Sequence, residues 1–403
     1  MTQVLHIISN KDNSGGTIAA LNLHDALLQN GVQSAVLSSD ELEGSEHGKG
    51  YRRFGGVVGR IQQSFLKVEN HFARPGWINP MDRLVSPSIL QNFSGVVHLH
   101  VTHVAQISFD LINKLAKNNK VFWTLHDLWP LTAKCIHPID CDKYLSICNQ
   151  CPKLQEYPAL KWDNTPYLHE QKKNFIRQHK IHFISPSRWI TTENEPYIHH
   201  LDGKISIIPH AVNFNFSEAI LSKTEIRLNY NLPIDGDLIL FPQGRWDDKK
   251  KGANWFEFIK NSLIKNSNLN RKIYLVRLAG NKLQLNKLND WVTEILLPKT
   301  SNKDVMAAYY QLSDVSISLS KIETFGLCIA ESLACNVPVL ARSAKGVNEL
   351  LDADIIAHTE EELTKFILEQ KWLSFDYESL FSKISVNMSL NKWAKTHIEL
   401  YGL

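Results

Sequence analysis

Short apolar runs and longer stretches of helical spacing alternate along most of this chain. VLHIIS near the N-terminus leads into a polar loop, NKDNSGGT, then IAALNLHDALLQNG at helical spacing, then SAVLS. That order predicts a strand, a helix and a second strand, with Gly31 supplying the helix stop. VVHLHV, KVFWTLH, IHFISPS and KISIIPHAV predict further strands. After the charged helical stretch SKTEIRLNY, a new strand, DLILFPQGR, opens a second half, and the alternation resumes through IYLVRLAG to a helical C-terminus. Strands alternating with helices build parallel sheets, so the fold class is α/β. Residues 41–93 and 127–165 lack this rhythm and read as irregular. The first of these mixes Arg, Lys, Phe and Trp with little helical regularity from Tyr51 to Trp77.

The 403 residues are enough for two domains with their own cores. Hydrophobic content of 43% and charged content of 21% are those of an ordinary globular protein. A net charge of +3 gives no case for nucleic acid as a partner. MTQVLHIIS has neither the basic start nor the apolar core of a signal peptide, and no apolar run reaches membrane-spanning length. The six cysteines are few for a secreted scaffold. A cytoplasmic enzyme is the expectation.

The densest chemistry lies between Val315 and Leu350. VSISLS predicts a strand, KIETFG a loop, LCIAESLA a helix ended by Asn336 and Pro338, and VPVLA a buried strand. Glu323 sits in the loop and Glu331 in the helix, with seven residues between them. A helix that opens just past a parallel strand offers free backbone N–H groups to an anion. A carboxylate repels phosphate but accepts hydrogen bonds from hydroxyls. Carboxylates beside such a helix start suit a ligand with phosphate and polyol parts, and a nucleotide sugar is one. The competing reading is a pair of solvated glutamates.

Three other patterns carry candidate chemistry. Gly15-Gly16, between the first strand and helix, allows close approach of a ligand to the backbone. It is not GxGxxG, and a plain turn explains it equally well. FPQGRWDDKKKG places Gly244-Arg245 at a strand end and Lys251-Gly252 further along. Two cations there would stabilise a departing diphosphate; the alternative is a solvated lysine-rich turn, and Lys249 or Lys250 could substitute. WTLHD puts His126 at the C-terminal end of a strand, where open α/β sheets bind ligands. His98, His100 and His103, near a neighbouring strand, read as structural. Cys135, Cys141, Cys148 and Cys151, separated by five, six and two residues, form a cluster suited to tetrahedral thiolate ligation of Zn. His137 could replace one ligand, and free or redox-active thiols are the alternative.

Glu323, Phe325-Gly326-Leu327 and Glu331 together resemble the signature of family 4 of the retaining glycosyltransferases, the two-Rossmann-domain (GT-B) type. The stretches SGGTIAALNLHDALLQNGVQS and His126-Asp127 with Trp129, and the cysteine spacing that follows, resemble a bacterial exopolysaccharide branch that includes colanic-acid enzymes. The resemblance spans essentially the whole chain and is weakest over 41–93. It implies two Rossmann-like domains facing each other across a cleft: residues 1–215 with a cysteine-rich insert at 127–165, residues 216–385 binding the nucleotide sugar, and a tail at 386–403 crossing back onto the first domain. It implies that Glu323 and His126 lie by the donor sugar and that Glu331 binds the ribose. Arg245 and Lys251 would clamp the diphosphate, and Gly15, Gly16, Gly244, Phe325, Gly326 and Leu327 would line the donor site. Gly346 and Glu349 resemble the end of the donor loop. The usual Asn-Gly and Asp of the interdomain stretch are His210-Ala211 and Asn213 here, which puts contacts at that loop in doubt.

The implied activity is transfer of a sugar, with retention, from a nucleotide diphosphate donor to a glycan or lipid-linked glycan in surface polysaccharide synthesis. A structural zinc at the cysteines and no catalytic metal are expected, since Arg245 and Lys251 already supply the cationic stabilisation. The stretch Tyr51–Trp77 would face the acceptor and a membrane surface, or else be a variable surface insert. The alternatives are a non-catalytic nucleotide-sugar or glycan-binding protein and a sugar-nucleotide epimerase on the same fold.

Overall fold

The computed structural model describes residues 3–8, 14–38, 50–52, 56–74, 93–102, 109–212, 221–244, 246 and 249–403. The chain divides into two compact units, Met1–Pro209 with Leu390–Leu403, and His210–Ser389.

In the first unit the elements run β1 (Val4–Ile7), α1 (Gly15–Gln29), β2 (Ser34–Ser38), β3 (Gly50–Arg52), α2 (Gly56–His71), β4 (Val96–Leu99), α3 (Phe109–Ala116), β5 (Lys120–Thr124), α4 (Thr165–His179), β6 (His182–Ser185), α5 (Arg188–His200) and β7 (Lys204–Ile207). The sheet order is β3-β2-β1-β4-β5-β6-β7 and each pairing is parallel. The winding direction reverses between β1 and β4. Crevices at the carboxyl ends of strands beside such a reversal are where open α/β sheets bind ligands. β1, β2 and β4 are buried along their whole length, as strands covered on both faces must be.

A tail helix, Leu390–Tyr401, packs on α1 with Trp393, Ala394, His397 and Tyr401 buried. The Tyr401 hydroxyl bonds His98 Nδ1 at 2.6 Å, and Lys120 Nζ donates to the Tyr401 carbonyl at 3.1 Å. These two bonds stitch the end of the chain to β4 and β5.

In the second unit α6 (Lys223–Asn229), β8 (Asp237–Phe241), α7 (Ala253–Lys265), β9 (Ile273–Gly280), β10 (Gln284–Lys287), β11 (Val292–Pro298), α8 (Lys303–Gln311), β12 (Val315–Ser318), α9 (Leu327–Ala334), β13 (Val339–Arg342), β14 (Ile356–Ala357), α10 (Glu360–Leu368), α11 (Lys371–Ser374) and α12 (Glu378–Asn387) follow in order. Its sheet runs β10-β11-β9-β8-β12-β13-β14, with β10 antiparallel on β11 and the other pairings parallel. β8 alternates its side chains between two cores: Ile239 and Phe241 join the one containing α7 and α9, and Leu238 and Leu240 the one containing Tyr309 and Tyr310. Here the winding reverses between β8 and β12.

One expectation is corrected. Part of the stretch read as irregular over 41–93 is regular: β3 pairs with β2, and α2 runs for sixteen residues. The chain passes to the second unit at Pro209/His210 and back at Leu390. The Val212 N–H donates to the Met388 carbonyl at 2.9 Å, which ties that stretch to the second unit. The insert 127–165 does lack long elements, with two single turns at Trp129–Leu131 and Lys143–Leu145. Two buried lysines organise it. Lys172 Nζ donates to the carbonyls of Trp129, Thr132 and Ala133, and Lys134 Nζ to those of Lys153 and Glu156.

Candidate functional site

In the second unit the candidate residues gather at the carboxyl ends of β8 and β12, beside the reversal of winding. β8 leads to Gly244, where an added Cβ would meet open space. Arg245 lies outside the described residues. A turn at Lys249–Lys251 follows, then Gly252 with φ of +85°. A Cβ on Gly252 would stand 2.2 Å from the Leu319 carbonyl oxygen, so only glycine lets this turn close on the end of β12. The Lys321 N–H donates to the Lys250 carbonyl at 2.8 Å and pins the two loops together. The result is an ion pair: Lys251 Nζ lies 2.6 Å from Glu323 Oε1, with the side chains 34% and 16% exposed. Two residues chosen from separate motifs are therefore direct partners.

Phe325 is buried, edge-on to His210 at 5.4 Å between ring centroids. Gly326, with φ of +96°, is the N-cap of α9 and Leu327 its first residue. No side chain caps this helix, so its leading N–H groups keep their partial positive charge for an anion. Glu331, one turn further along α9, is half-buried and accepts a hydrogen bond from the Tyr310 hydroxyl at 2.9 Å. Burial raises its pKa to about 7, with the Tyr310 hydrogen bond acting the other way.

In the first unit Gly15 and Gly16 are not a loop, as the sequence reading had them, but the first two residues of α1, capped by Ser14. Gly16 still needs to be glycine: a Cβ there would stand 2.5 Å from Val101 Cγ2 and 3.0 Å from His126 Cγ. The missing side chain leaves the space that Val101 and His126 occupy. His126 follows β5, its N–H donating to the Thr124 carbonyl at 3.0 Å. Its Nε2 lies 3.0 Å from His100 Nδ1, and His100 Nε2 lies 2.9 Å from His6 Nδ1. Burial lowers the pKa of His126 to about 4, with Asp127 opposing, and pushes His6 and His100 well down. His100, read from the sequence as merely structural, is thus a direct partner of His126. His98 belongs to the same cluster, bonded to Thr124 and Tyr401. His103 lies outside the described residues. The clue available in sequence was that His6 and His98 each stand third in neighbouring strands, with His100 just past the end of the second.

Asp127 and Trp129 build the turn that follows. Asp127 Oδ1 accepts from the Trp129 N–H at 2.8 Å, and Lys172 Nζ stands 3.2 Å from the centre of the Trp129 ring.

Cys135, Cys141, Cys148 and Cys151 line one cavity together with Lys134, Lys143 and Tyr144. All four are free thiols, and burial pushes Cys148 up to about 11 and Cys135 upward. The donors match a thiolate zinc site in kind. In spacing they do not: among the described residues, the group whose ligand atoms all lie within 4.8 Å of one another is His6, His98 and His100. His137 is not in that group either.

Comparison with known proteins adds three findings. Residues 235–372 match the family model described as glycosyl transferases group 1. The chain is 25% identical over 369 residues to the putative colanic acid biosynthesis glycosyl transferase WcaC of Escherichia coli K12, covering 84% of this chain and 82% of that protein. Among solved structures it is similar to a glycosyltransferase from Rickettsia africae, with a TM-score of 0.63, 16% identity, and coverage of 99% and 97% of the two chains. It is also similar to Anabaena Alr3699/HepE, solved in complex with UDP and glucose, with a TM-score of 0.61 and 11% identity over the whole of both chains. These likenesses establish the fold as two Rossmann-like domains of the GT-B type.

Proposed function

We propose that this protein is a glycosyltransferase that moves a sugar from a nucleotide diphosphate donor to a glycan or lipid-linked glycan acceptor, with retention of configuration, in bacterial surface polysaccharide synthesis. The observation that carries the reading is the Lys251–Glu323 pair, set beside the uncapped start of α9 and inside the segment that matches glycosyl transferases group 1. The similarity to the colanic acid enzyme supports the polysaccharide setting.

A diphosphate offers Lys251 a stronger partner than a carboxylate does, and a sugar offers Glu323 hydroxyls in exchange for an ammonium. Donor binding therefore replaces the internal pair by two ligand contacts. Lys251, with Arg245, stabilises the charge that builds on the departing diphosphate, as preorganised cations do. The bond between the anomeric carbon and the diphosphate oxygen breaks and the bond to the acceptor oxygen forms. The acceptor's proton passes to the departing phosphate oxygen, so no separate base is required. Glu331 is assigned to the ribose, His126 to orienting the donor sugar, and Gly15, Gly16 and Gly244 to keeping the donor site open. The four cysteines hold a structural zinc and catalysis needs no metal. The exposed Ile61, Val68 and Phe72 of α2 and the turn after it, near the basic Arg60 and Lys67, support peripheral contact with a membrane. No helix among the described residues is long and apolar enough to cross one.

The deciding experiment is thermal-shift screening against UDP-, GDP- and ADP-sugars, followed by a transfer assay with the sugar that stabilises. Binding raises the melting temperature by mass action. Stabilisation without transfer or hydrolysis would mean a binding protein, and isomerised donor without acceptor would mean an epimerase.

A further inference from the structure

Three imidazoles, His6 and His100 buried and His126 half-buried, form a line in the first unit. His6 Nδ1 lies 2.9 Å from His100 Nε2, and His100 Nδ1 lies 3.0 Å from His126 Nε2. Each link needs one donor and one acceptor. A neutral imidazole has one N–H and one bare nitrogen. With all three rings neutral, two arrangements satisfy both links. Either every ring carries its proton on Nδ1, or every ring carries it on Nε2. No mixture works, since a mixed chain sets two protons or two lone pairs against each other.

The far end of the line chooses between them. His6 Nε2 is buried and has no hydrogen-bond partner. If the protons sit on Nε2, that atom is a buried N–H with no acceptor, the rarest kind of unsatisfied group in folded proteins. If they sit on Nδ1, it is a bare lone pair, which costs less. We propose that His6 and His100 are positioning residues for His126, a two-link chain that holds the His126 proton on Nδ1 and keeps its Nε2 occupied as an acceptor. His126 then acts on a ligand only as a donor, through Nδ1, which suits a sugar hydroxyl oxygen or a phosphate oxygen.

The surroundings keep the chain neutral. Desolvation disfavours charge on all three rings, and the titratable neighbours of His6 and His100 are themselves histidines: His24, His98 and His397. Asp127 is the acidic neighbour of His126, and desolvation outweighs it. The same trio of His6, His98 and His100 has metal-ligand spacing. However, His98 already uses both nitrogens, on Thr124 and Tyr401, and His6 and His100 use one another. The group reads as a hydrogen-bonded network and not as a ligand set.

The kinetic consequence rests on the function proposed above, whereas the tautomer does not, so the test has two arms. In the first, long-range proton–nitrogen spectra of imidazole-labelled whole protein report the tautomer of His126. Wild type is expected to show protonated Nδ1 and bare Nε2. His100→Phe, which removes the donor to His126 Nε2, is expected to give a mixture of both tautomers at the half-buried His126. His100→Asn, whose amide stands where Nδ1 stood, is expected to restore the wild-type pattern. In the second arm, His100→Phe lowers kcat by about tenfold, the rate equivalent of one hydrogen bond, leaves the donor KM unchanged, and is rescued by His100→Asn. Wild-type His126 with its proton on Nε2 would overturn the proposal without any variant. So would an unchanged His126 spectrum in a folded His100→Phe protein. If wild type turns over no donor, the glycosyltransferase reading fails, and the spectra alone decide the chain.

Discussion

Lys251 and Glu323 are bonded to each other at 2.6 Å, although 71 residues lie between them in sequence. The contact exists because Gly252 has no side chain. Its Cα is pressed against Leu319, and the turn that carries the lysine closes over the loop that carries the glutamate. Neither charge is buried deeply enough for the pair to be a large source of stability, and partly exposed pairs contribute about 0–1 kcal/mol. What such a pair does well is hold two groups in place until a ligand separates them.

Glu323→Gln follows from this directly. The variant is expected to melt within a few degrees of wild type, since a pair worth about 1 kcal/mol or less is lost. Turnover should fall at least tenfold if the carboxylate contacts the donor sugar. Steady-state kinetics with the donor found by screening, alongside a melting curve, check both halves. Wild-type turnover would remove Glu323 from the site.

Lys251→Ala and Arg245→Ala separate phosphate from base recognition. A charged hydrogen bond lost from a bound diphosphate costs about 1.5–3 kcal/mol, or roughly ten- to a hundredfold in Kd. Nucleoside affinity should change far less. Equal losses for nucleoside diphosphate and nucleoside in calorimetry would exclude a diphosphate clamp at these residues.

Glu331 makes stability depend on pH. Its folded-state pKa is raised to about 7, above the ordinary carboxylate value of 4.5. Between these two values the folded chain holds a proton that the unfolded chain has released. Its contribution therefore falls as pH rises through that window and is level above it. Glu331→Gln removes the titration, so its stability relative to wild type should improve from pH 5 to pH 8. Chemical denaturation at the two pH values measures this. Tyr310→Phe should push the Glu331 pKa higher still, because the Tyr310 hydroxyl bonds the carboxylate.

The parts of this molecule that were legible in sequence are those where a local pattern decides the outcome. Val315–Leu350 folds as strand, loop, helix and strand because each piece carries its own period and its own stop, down to Asn336 with positive φ just past α9. The partnership of Lys251 with Glu323 was not legible, because the fit of Gly252 against Leu319 belongs to the packed sheet. The line from His6 to His126 was hidden for the same reason. Its links span 94 and 26 residues, and a histidine in a strand looks the same whether it packs or relays. α2 was missed because Arg60 and Lys67 interrupt a helical face that leaves Ile61 and Val68 exposed, so its pattern is not that of a helix with one buried side.

That exposed face gives a prediction of its own. If α2 lies on a membrane, the protein should co-sediment with vesicles containing anionic lipid. Binding should weaken in Arg60→Glu and Lys67→Glu, because juxtamembrane basic residues contribute about 1 kcal/mol each. Phe72→Ser should weaken it further through lost apolar burial. No sedimentation by wild type would leave α2 as a surface helix.

Removing metal tests the cysteine cavity. Cys135, Cys141, Cys148 and Cys151 line one space, and as free thiols at least two of them are held protonated by burial. Zinc would reverse that, since a coordinating thiol is deprotonated outright. It would also draw the four sulfurs to ligand distance in a closed tetrahedral site. Binding and local folding are coupled in such sites, so stripping the metal should loosen residues 127–165 and lower the melting temperature. Activity should fall as well, because the insert begins next to His126 and its turn is anchored by Asp127 and Lys172. Protein purified without chelator is therefore expected to carry one zinc by elemental analysis, to resist thiol reagents at these four positions, and to lose both properties in strong chelator. Metal-free protein with four reactive thiols and full activity would rule the zinc site out. Activity that requires added magnesium or manganese would overturn the metal-independent chemistry assigned to Arg245 and Lys251.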